Sequence, residues 1–227
     1  AAAANPPGQV KYAPVRNLSQ LPMDGGWTYG EVLDKAAAGD FRANMLAGEY
    51  WMGLYYLNRG DLPLACLEHM QHFFRDAATA SGHPAPKLMM TDPYGIFGIF
   101  KAQPMQPEHA EWLAACRKLA EKGDMDAVTA LYTVMDLPEA ELRRYLAPLE
   151  KKAASGDQDA LAQLAFIKVD WLKENPANVI ETLKQYRKNA KPVLLARIGE
   201  LALALDGKDG RGWRDTAIQS LSRAAEK

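Results

Sequence analysis

The side chains best equipped for chemistry in this chain are two cysteines, Cys66 and Cys116, and four histidines, His69, His72, His83 and His109. Cys66, His69 and His72 recur every third residue within a helical pattern, so they fan across one side of a single helix. A metal ion bridging two of them is sterically simple. All three, however, span about 9 Å of axis at about 1.5 Å per residue, too far for one tetrahedral ion, and no carboxylate pair completes the set. Packing or a solvated face is the expectation, set against a small metal-dependent hydrolase built on Cys66, His69, His72 and His83. The string Gly207-Lys208-Asp209-Gly210-Arg211-Gly212 has the glycines of a phosphate cradle but not the Gly-Lys-Ser/Thr ending, and it joins two helical patterns rather than a strand to a helix. It reads as the turn of the last hairpin. His-Glu-x-x-His and Gly-x-Ser-x-Gly are absent, and no carboxylate pair is placed by sequence in an apolar pocket that would separate acid from base. No catalytic, cofactor-binding or metal-binding residue is assigned, and the chain is not expected to be an enzyme.

The composition narrows the field further. Among 227 residues, 27 Lys and Arg oppose 28 Asp and Glu, and 48% are hydrophobic, enough to bury a core and too balanced for a disordered or polyanion-binding chain. No apolar run reaches the roughly 18 residues of a membrane span. Two cysteines permit one disulfide at most, and the sequence leaves that pairing open. The opening Ala1 to Gly8 lacks a starting Met, as expected after removal of a secretory signal, which points to the periplasm of a bacterial envelope. Residues 1–26 read as an extended arm stiffened by prolines. Helix is expected from near Trp27, and residues 27–227 as one helical domain.

The elements that position these residues are set by a repeat. One pattern occurs three times, as Ala36-x-x-Gly39-Asp40-x-x-Ala43, Ala120-x-x-Gly123-Asp124-x-x-Ala127 and Ala153-x-x-Gly156-Asp157-x-x-Ala160. Glycine after an alanine-rich helix suits the left-handed turn that ends it, and the following Asp can cap the next helix. Each copy therefore predicts a helix–turn–helix junction whose alanines let two backbones approach closely. Between junctions, apolar residues keep helical spacing: Ala160, Leu164, Ile167 and Trp171; Val179, Leu183, Tyr186 and Ala190; Leu194, Ile198, Leu201 and Leu205. A weaker junction lies near Ala77 to Gly82. The expectation is an all-α protein of about five antiparallel helix hairpins sharing one interior, an α/α solenoid with Pro176 and Pro138 at helix starts and a kink or break at Pro148.

The stretch Gly48-Glu49-Tyr50-Trp51-Met52-Gly53-Leu54-Tyr55-Tyr56-Leu57-Asn58-Arg59-Gly60 resembles the first helix of a Sel1-like repeat, with Met52-Gly53 in the Leu-Gly slot, and Ala217 to Ala225 resembles the second. The middle units keep the junction without the Leu-Gly pair. The resemblance implies a tetratricopeptide-like scaffold that binds protein. Sel1-like repeats also occur in immunity proteins that neutralise secreted antibacterial toxins, including phospholipase effectors of the type VI secretion system, and in envelope scaffolds for polysaccharide export or cell-wall assembly. It therefore implies a protein partner, a cognate toxin first and an assembly complex second, with no nucleic acid and no cofactor. No oligomeric state is assigned.

Residues 81–107 carry five prolines and no helical period. Long insertions in solenoids gather on one face, often the binding one. Met89, Met90, Tyr94, Ile96, Phe97, Ile99 and Phe100 are expected to form an apolar knob, either covered by a partner or folded back to seal the array. With Trp51, Tyr55 and Tyr56 of the strongest repeat, they are the candidate protein-binding residues.

Overall fold

Thr28 and Glu31 supply what a helix start needs. The Glu31 amide donates to the Thr28 hydroxyl (3.3 Å) and the Thr28 amide to the Glu31 carboxylate (2.7 Å), a reciprocal capping box. From this start the computed structural model, which describes residues 19, 21, 23, 26–57, 63–91, 107–135, 137–206 and 213–225, is built of helices joined by short turns. Its eleven α-helices are α1 (Tyr29–Ala37), α2 (Phe41–Leu57), α3 (Pro63–Ser81), α4 (Pro84–Thr91), α5 (Pro107–Ala120), α6 (Met125–Met135), α7 (Glu139–Ala154), α8 (Gln158–Asp170), α9 (Pro176–Leu183), α10 (Pro192–Leu205) and α11 (Trp213–Ala225), with a 3-10 turn at Lys184–Asn189 after α9. Helices adjacent in sequence pack as pairs, as a helical repeat does, and α4 also touches α6 as α8 touches α10.

The three predicted junctions are built alike. Gly39, Gly123 and Gly156 have φ of +83°, +83° and +87°, a conformation that only glycine adopts without strain. In each, the glycine amide donates to the carbonyl three residues back (Ala36, Ala120, Ala153) and the Asp amide to the carbonyl five back (Lys35, Leu119, Lys152), which satisfies the helix C-terminus. The Asp carboxylate then accepts from the amide three residues on, at 2.8 Å (Ala43), 2.9 Å (Ala127) and 3.0 Å (Ala160). All six flanking alanines are buried. Gly82, at +66°, makes a fourth junction with His83 in the Asp position, where the ring Nδ1 accepts from the Ala85 amide at 3.2 Å.

Three expectations change. Part of the 81–107 segment is helix, because Pro84 and Pro86 fall in the first turn of α4, where amides have no intrahelical partner to lose. Helix α7 runs unbroken through Pro148, whose ring lies against the second junction so closely that a Cβ on Gly123 would sit 2.8 Å from the Pro148 Cβ. Finally, the buried side chains form three clusters rather than one interior: one around Val32 and Leu46, a central one from Met45 to Ile167, and one from Ala162 to Ala224. Half-buried Leu161 packs against the last two. Among the described residues no helix is long and apolar enough to cross a membrane.

Both cysteines are free and buried. Burial pushes the Cys116 thiol up to about 12, and the Asp124 carboxylate adds to the effect. Burial closes Cys66 to reagents, and Cys116 is both buried and held as the unreactive thiol, so neither should react with Ellman's reagent in the native protein at about pH 8, and both should react in guanidinium chloride. Labelling within minutes without denaturant would contradict this packing.

Candidate protein-binding surfaces

Helix α2 lies between α1 and α3, so most of it is covered: Ala43, Asn44, Met45, Leu46, Ala47 and Gly48 are all buried. The turn that follows leaves Tyr50 and Trp51 half-buried at the edge. There an aromatic ledge crosses three helices. Tyr29 of α1 meets Tyr50 with ring centres 4.9 Å apart, Tyr50 meets the Trp51 indole edge-on at 5.9 Å, and Trp51 stacks on exposed His69 of α3 at 4.3 Å. Trp51 Nε1 is sealed from solvent without a hydrogen bond of standard geometry. It still acts on the Tyr29 hydroxyl, opposing the burial that raises that phenol. Stacking thus holds a rigid amphipathic platform at the surface, with a Trp face flanked by a His able to donate or accept.

The remaining candidate residues divide. Met89 is fully buried, so it follows the folded-back alternative and is withdrawn as a partner contact: α4 packs on α3, α5 and α6, and Leu88 and Met89 fill the central core between them. Met90 is half-buried against the same core. Tyr94, Ile96, Phe97, Ile99 and Phe100 lie outside the described residues, as do the side chains of Tyr55 and Tyr56 on α2 and the stretch 207–212. The Cys66, His69, His72 and His83 set does not converge. Cys66 faces the core, His69 stacks on Trp51, His72 approaches Asp76 at 3.7 Å, and His83 binds Asp124. Among the described residues, no three His, Cys, Asp or Glu side chains are placed to hold a metal ion.

A second feature comes from the repeat itself. The third residue after each junction glycine is Arg42, Asp126 and Asp159, and these equivalent positions carry ion pairs between units: Arg42 with Asp126, and Asp159 with Lys191 at 2.9 Å. Gln158 extends the second link by accepting from the Lys191 amide and donating to the Asn189 carbonyl. Next to the first link, His83 Nε2 approaches Asp124 Oδ2 at 3.3 Å. Since His83 Nδ1 is an acceptor, its Nε2–H is the donor to this carboxylate. Burial raises the Asp124 carboxyl, but the His83 hydrogen bond and the Ala127 amide outweigh it, and the group ends below the usual range. Asp126 goes the other way: burial lifts it, Arg42 opposes, and neighbouring Asp124 adds to the rise. A polar cavity of about 190 Å³ opens beside this edge, between Arg42, Lys152, Asp157 and Asp159. Two of its charges, Arg42 and Asp159, are engaged by Asp126 and Lys191, and the Asp157 carboxylate caps α8, so it reads as the seam between helix pairs.

One surface was not singled out by sequence. It is a basic groove at the far end, where Arg187 and Lys188 meet Ile218 and Arg223. The cationic run Lys184, Arg187, Lys188 and Lys191 is the signal that could have found half of it.

No protein-family model, curated protein or solved structure matches this chain. What stands is an all-helical protein of eleven helices packed in adjacent pairs among the described residues.

Proposed function

We propose that this is a protein-binding helical-repeat protein of the Sel1-like, tetratricopeptide-like kind, acting in the bacterial periplasm as an immunity protein that binds and neutralises a secreted antibacterial toxin, with a type VI lipase effector as the first candidate. The observation that carries protein recognition is the ledge of Tyr50 and Trp51, held at the surface by stacking on exposed His69. Rigid, amphipathic aromatic groups give large contact area at low entropic cost, and Trp and Tyr dominate binding hot spots. The segment after α4, with Tyr94, Ile96, Phe97 and Phe100, supplies further aromatic and aliphatic groups to the same partner. Immunity, rather than a scaffold in polysaccharide or cell-wall assembly, rests on the resemblance of residues 48–60 and 217–225.

The test is to mix the purified protein with the toxin encoded by the neighbouring gene. A complex in size exclusion and loss of toxin activity are expected; separate elution with unimpeded toxin removes the immunity reading. A complex with several envelope proteins and no neighbouring toxin gene favours the scaffold. Within a complex, Trp51→Ala and Phe97→Ala should each weaken binding by more than about 1 kcal/mol, at least fivefold in Kd. His69→Ala should weaken it with little change in Tm, since His69 is exposed. Unfolding shifts without loss of binding would assign the ledge to packing.

A further inference from the structure

At the C-terminal end of the array, the 3-10 turn Lys184–Asn189 and helix α11 border an open groove of about 590 Å³, lined by Arg187, Lys188, Ile218, Gln219, Ser222 and Arg223. No carboxylate among the described residues lines it. Two other cations of the same run have partners, Lys184 in Glu181 and Lys191 in Asp159. Arg187, Lys188 and Arg223 have none of opposite charge among the described residues. Instead the two guanidiniums are held by neutral acceptors: Arg187 donates to the Gln219 side-chain carbonyl at 2.8 Å, and Arg223 to the Lys188 backbone carbonyl at 3.2 Å. Each keeps further N–H donors for a ligand, already oriented. Gathering three like charges around one groove is unfavourable unless a counter-charge arrives. Beside them Ile218 is 56% exposed, because the inward stripe of α11 is Trp213, Ala217, Ser220 and Ala224.

We propose that this groove docks an acidic, extended segment of a partner protein, its carboxylates on Arg187, Lys188 and Arg223 and one aliphatic side chain against Ile218. Guanidinium forks match carboxylates bidentately, and the aliphatic contact fixes the register. Charge complementarity decides the occupant. A nucleic-acid backbone would leave Ile218 unused, and the chain's net charge of −1 provides no wider basic field to hold it. A flat bilayer does not enter a groove walled by a helix and a turn. The inference goes beyond the proposed function and needs neither the aromatic ledge nor a known toxin.

The full chain is titrated against a fluorescein-labelled nonapeptide, Gly-Glu-Asp-Glu-Leu-Asp-Glu-Glu-Gly, by fluorescence anisotropy. Saturable binding is expected with Kd on the order of 10–100 μM at low salt, weakening roughly tenfold from 50 to 300 mM NaCl as screening shortens the reach of the charges. Ile218→Asp, and Arg187→Glu with Arg223→Glu, should abolish binding. Ile218 is exposed, so its variant should keep Tm within about 4 °C. The double reversal also breaks the Arg187–Gln219 and Arg223–Lys188 hydrogen bonds of two half-buried side chains, and is compared at a temperature where its far-UV circular dichroism matches the parent's. Replacing the peptide's Leu by Ser should weaken it several-fold. Absence of saturation, indifference to the groove substitutions, or equal affinity for the Ser peptide would each overturn the proposal. So would groove-dependent binding of polyphosphate or of phosphatidylglycerol vesicles tighter than the peptide. Because the probe is a peptide, its failure leaves the toxin complex untouched, and loss of the toxin complex leaves the groove untouched.

Discussion

Gly48→Val should destabilise the protein by about 3 kcal/mol, read as a lowered urea midpoint at unchanged slope. Gly48 marks the crossing of α2 and α3, where a Cβ would stand 2.5 Å from Cε1 and 2.7 Å from Cδ1 of Phe74. The ring cannot withdraw cheaply. Phe74 is fully buried in the central cluster, and moving it opens a void among Met45, Met70 and Ala77. Alanine tests the balance of terms: it gains about 1 kcal/mol of helix propensity over glycine and meets an overpacking cost of about 1–3 kcal/mol, so a net loss of roughly 1 kcal/mol is expected. Phe74→Leu shortens the obstructing side chain. In that background Gly48→Ala should cost at least about 1 kcal/mol less than alone, a coupling expected only of residues in contact. Gly53→Ala is the control, since a Cβ there meets nothing within 4 Å among the described residues, and it should be neutral or stabilising. An additive pair, or a harmless Gly48→Val, would mean that the helices do not cross here.

That contrast shows which features were legible in the sequence. The junctions were, because each is closed by bonds reaching at most five residues: the glycine turn, the two carbonyl acceptors and the Asp cap are local chemistry. The helical stripes were legible in part: that of Val179, Leu183, Tyr186 and Ala190 breaks where α9 ends at Leu183 and Tyr186 falls in the 3-10 turn, whereas that of α10 holds. Leu194, Ile198, Leu201 and Leu205 are all buried, as their spacing requires. The pairing of helices was not. By sequence Gly53 stands only as part of a motif and Gly48 carries no role, whereas close approach falls at Gly48, because the rotation of α2 is set by two neighbours at once. Pro148 illustrates the same difficulty: its cost to the α7 backbone is local, while its packing against Gly123 comes from a turn 25 residues earlier in the chain. Counting prolines likewise concealed α4, since Pro84 and Pro86 are tolerated in a first turn that composition does not reveal. The Trp51 ledge was half legible, as an aromatic cluster lacking its His69 support. The basic groove was not, because its anchoring bonds join residues 32 and 35 apart.

Arg42→Ala should cost about 2 kcal/mol at neutral pH, clearly more than Asp126→Asn, although the two changes break the same ion pair. The asymmetry comes from burial. The Arg42 side chain is 34% exposed and can turn to water when its partner is neutral, whereas the Asp126 side chain is 15% exposed and sits beside Asp124. Without Arg42, a carboxylate is left buried near a second negative charge; without the Asp126 charge, a half-exposed cation loses one of its contacts and gains water. The pH dependence has a definite sign. Burial already raises Asp126 above the usual carboxylate range against the pull of Arg42, so removing Arg42 raises it further. A group raised in the folded state favours folding most when protonated, and that contribution is lost as pH rises through the folded value. The Arg42→Ala penalty should therefore shrink as pH falls from about 7 toward about 4, near the unfolded Asp value. Asp124 has the opposite slope, being lowered by His83 and the Ala127 amide, but it is common to both proteins and cancels when variant and parent are compared at each pH. Adding Asp126→Asn to Arg42→Ala should remove most of the penalty, because no buried charge is then left unpaired. If the double variant were as unstable as Arg42→Ala alone, or the penalty grew on acidification, the link between the first and second junctions would be packing of the Arg42 stem rather than charge.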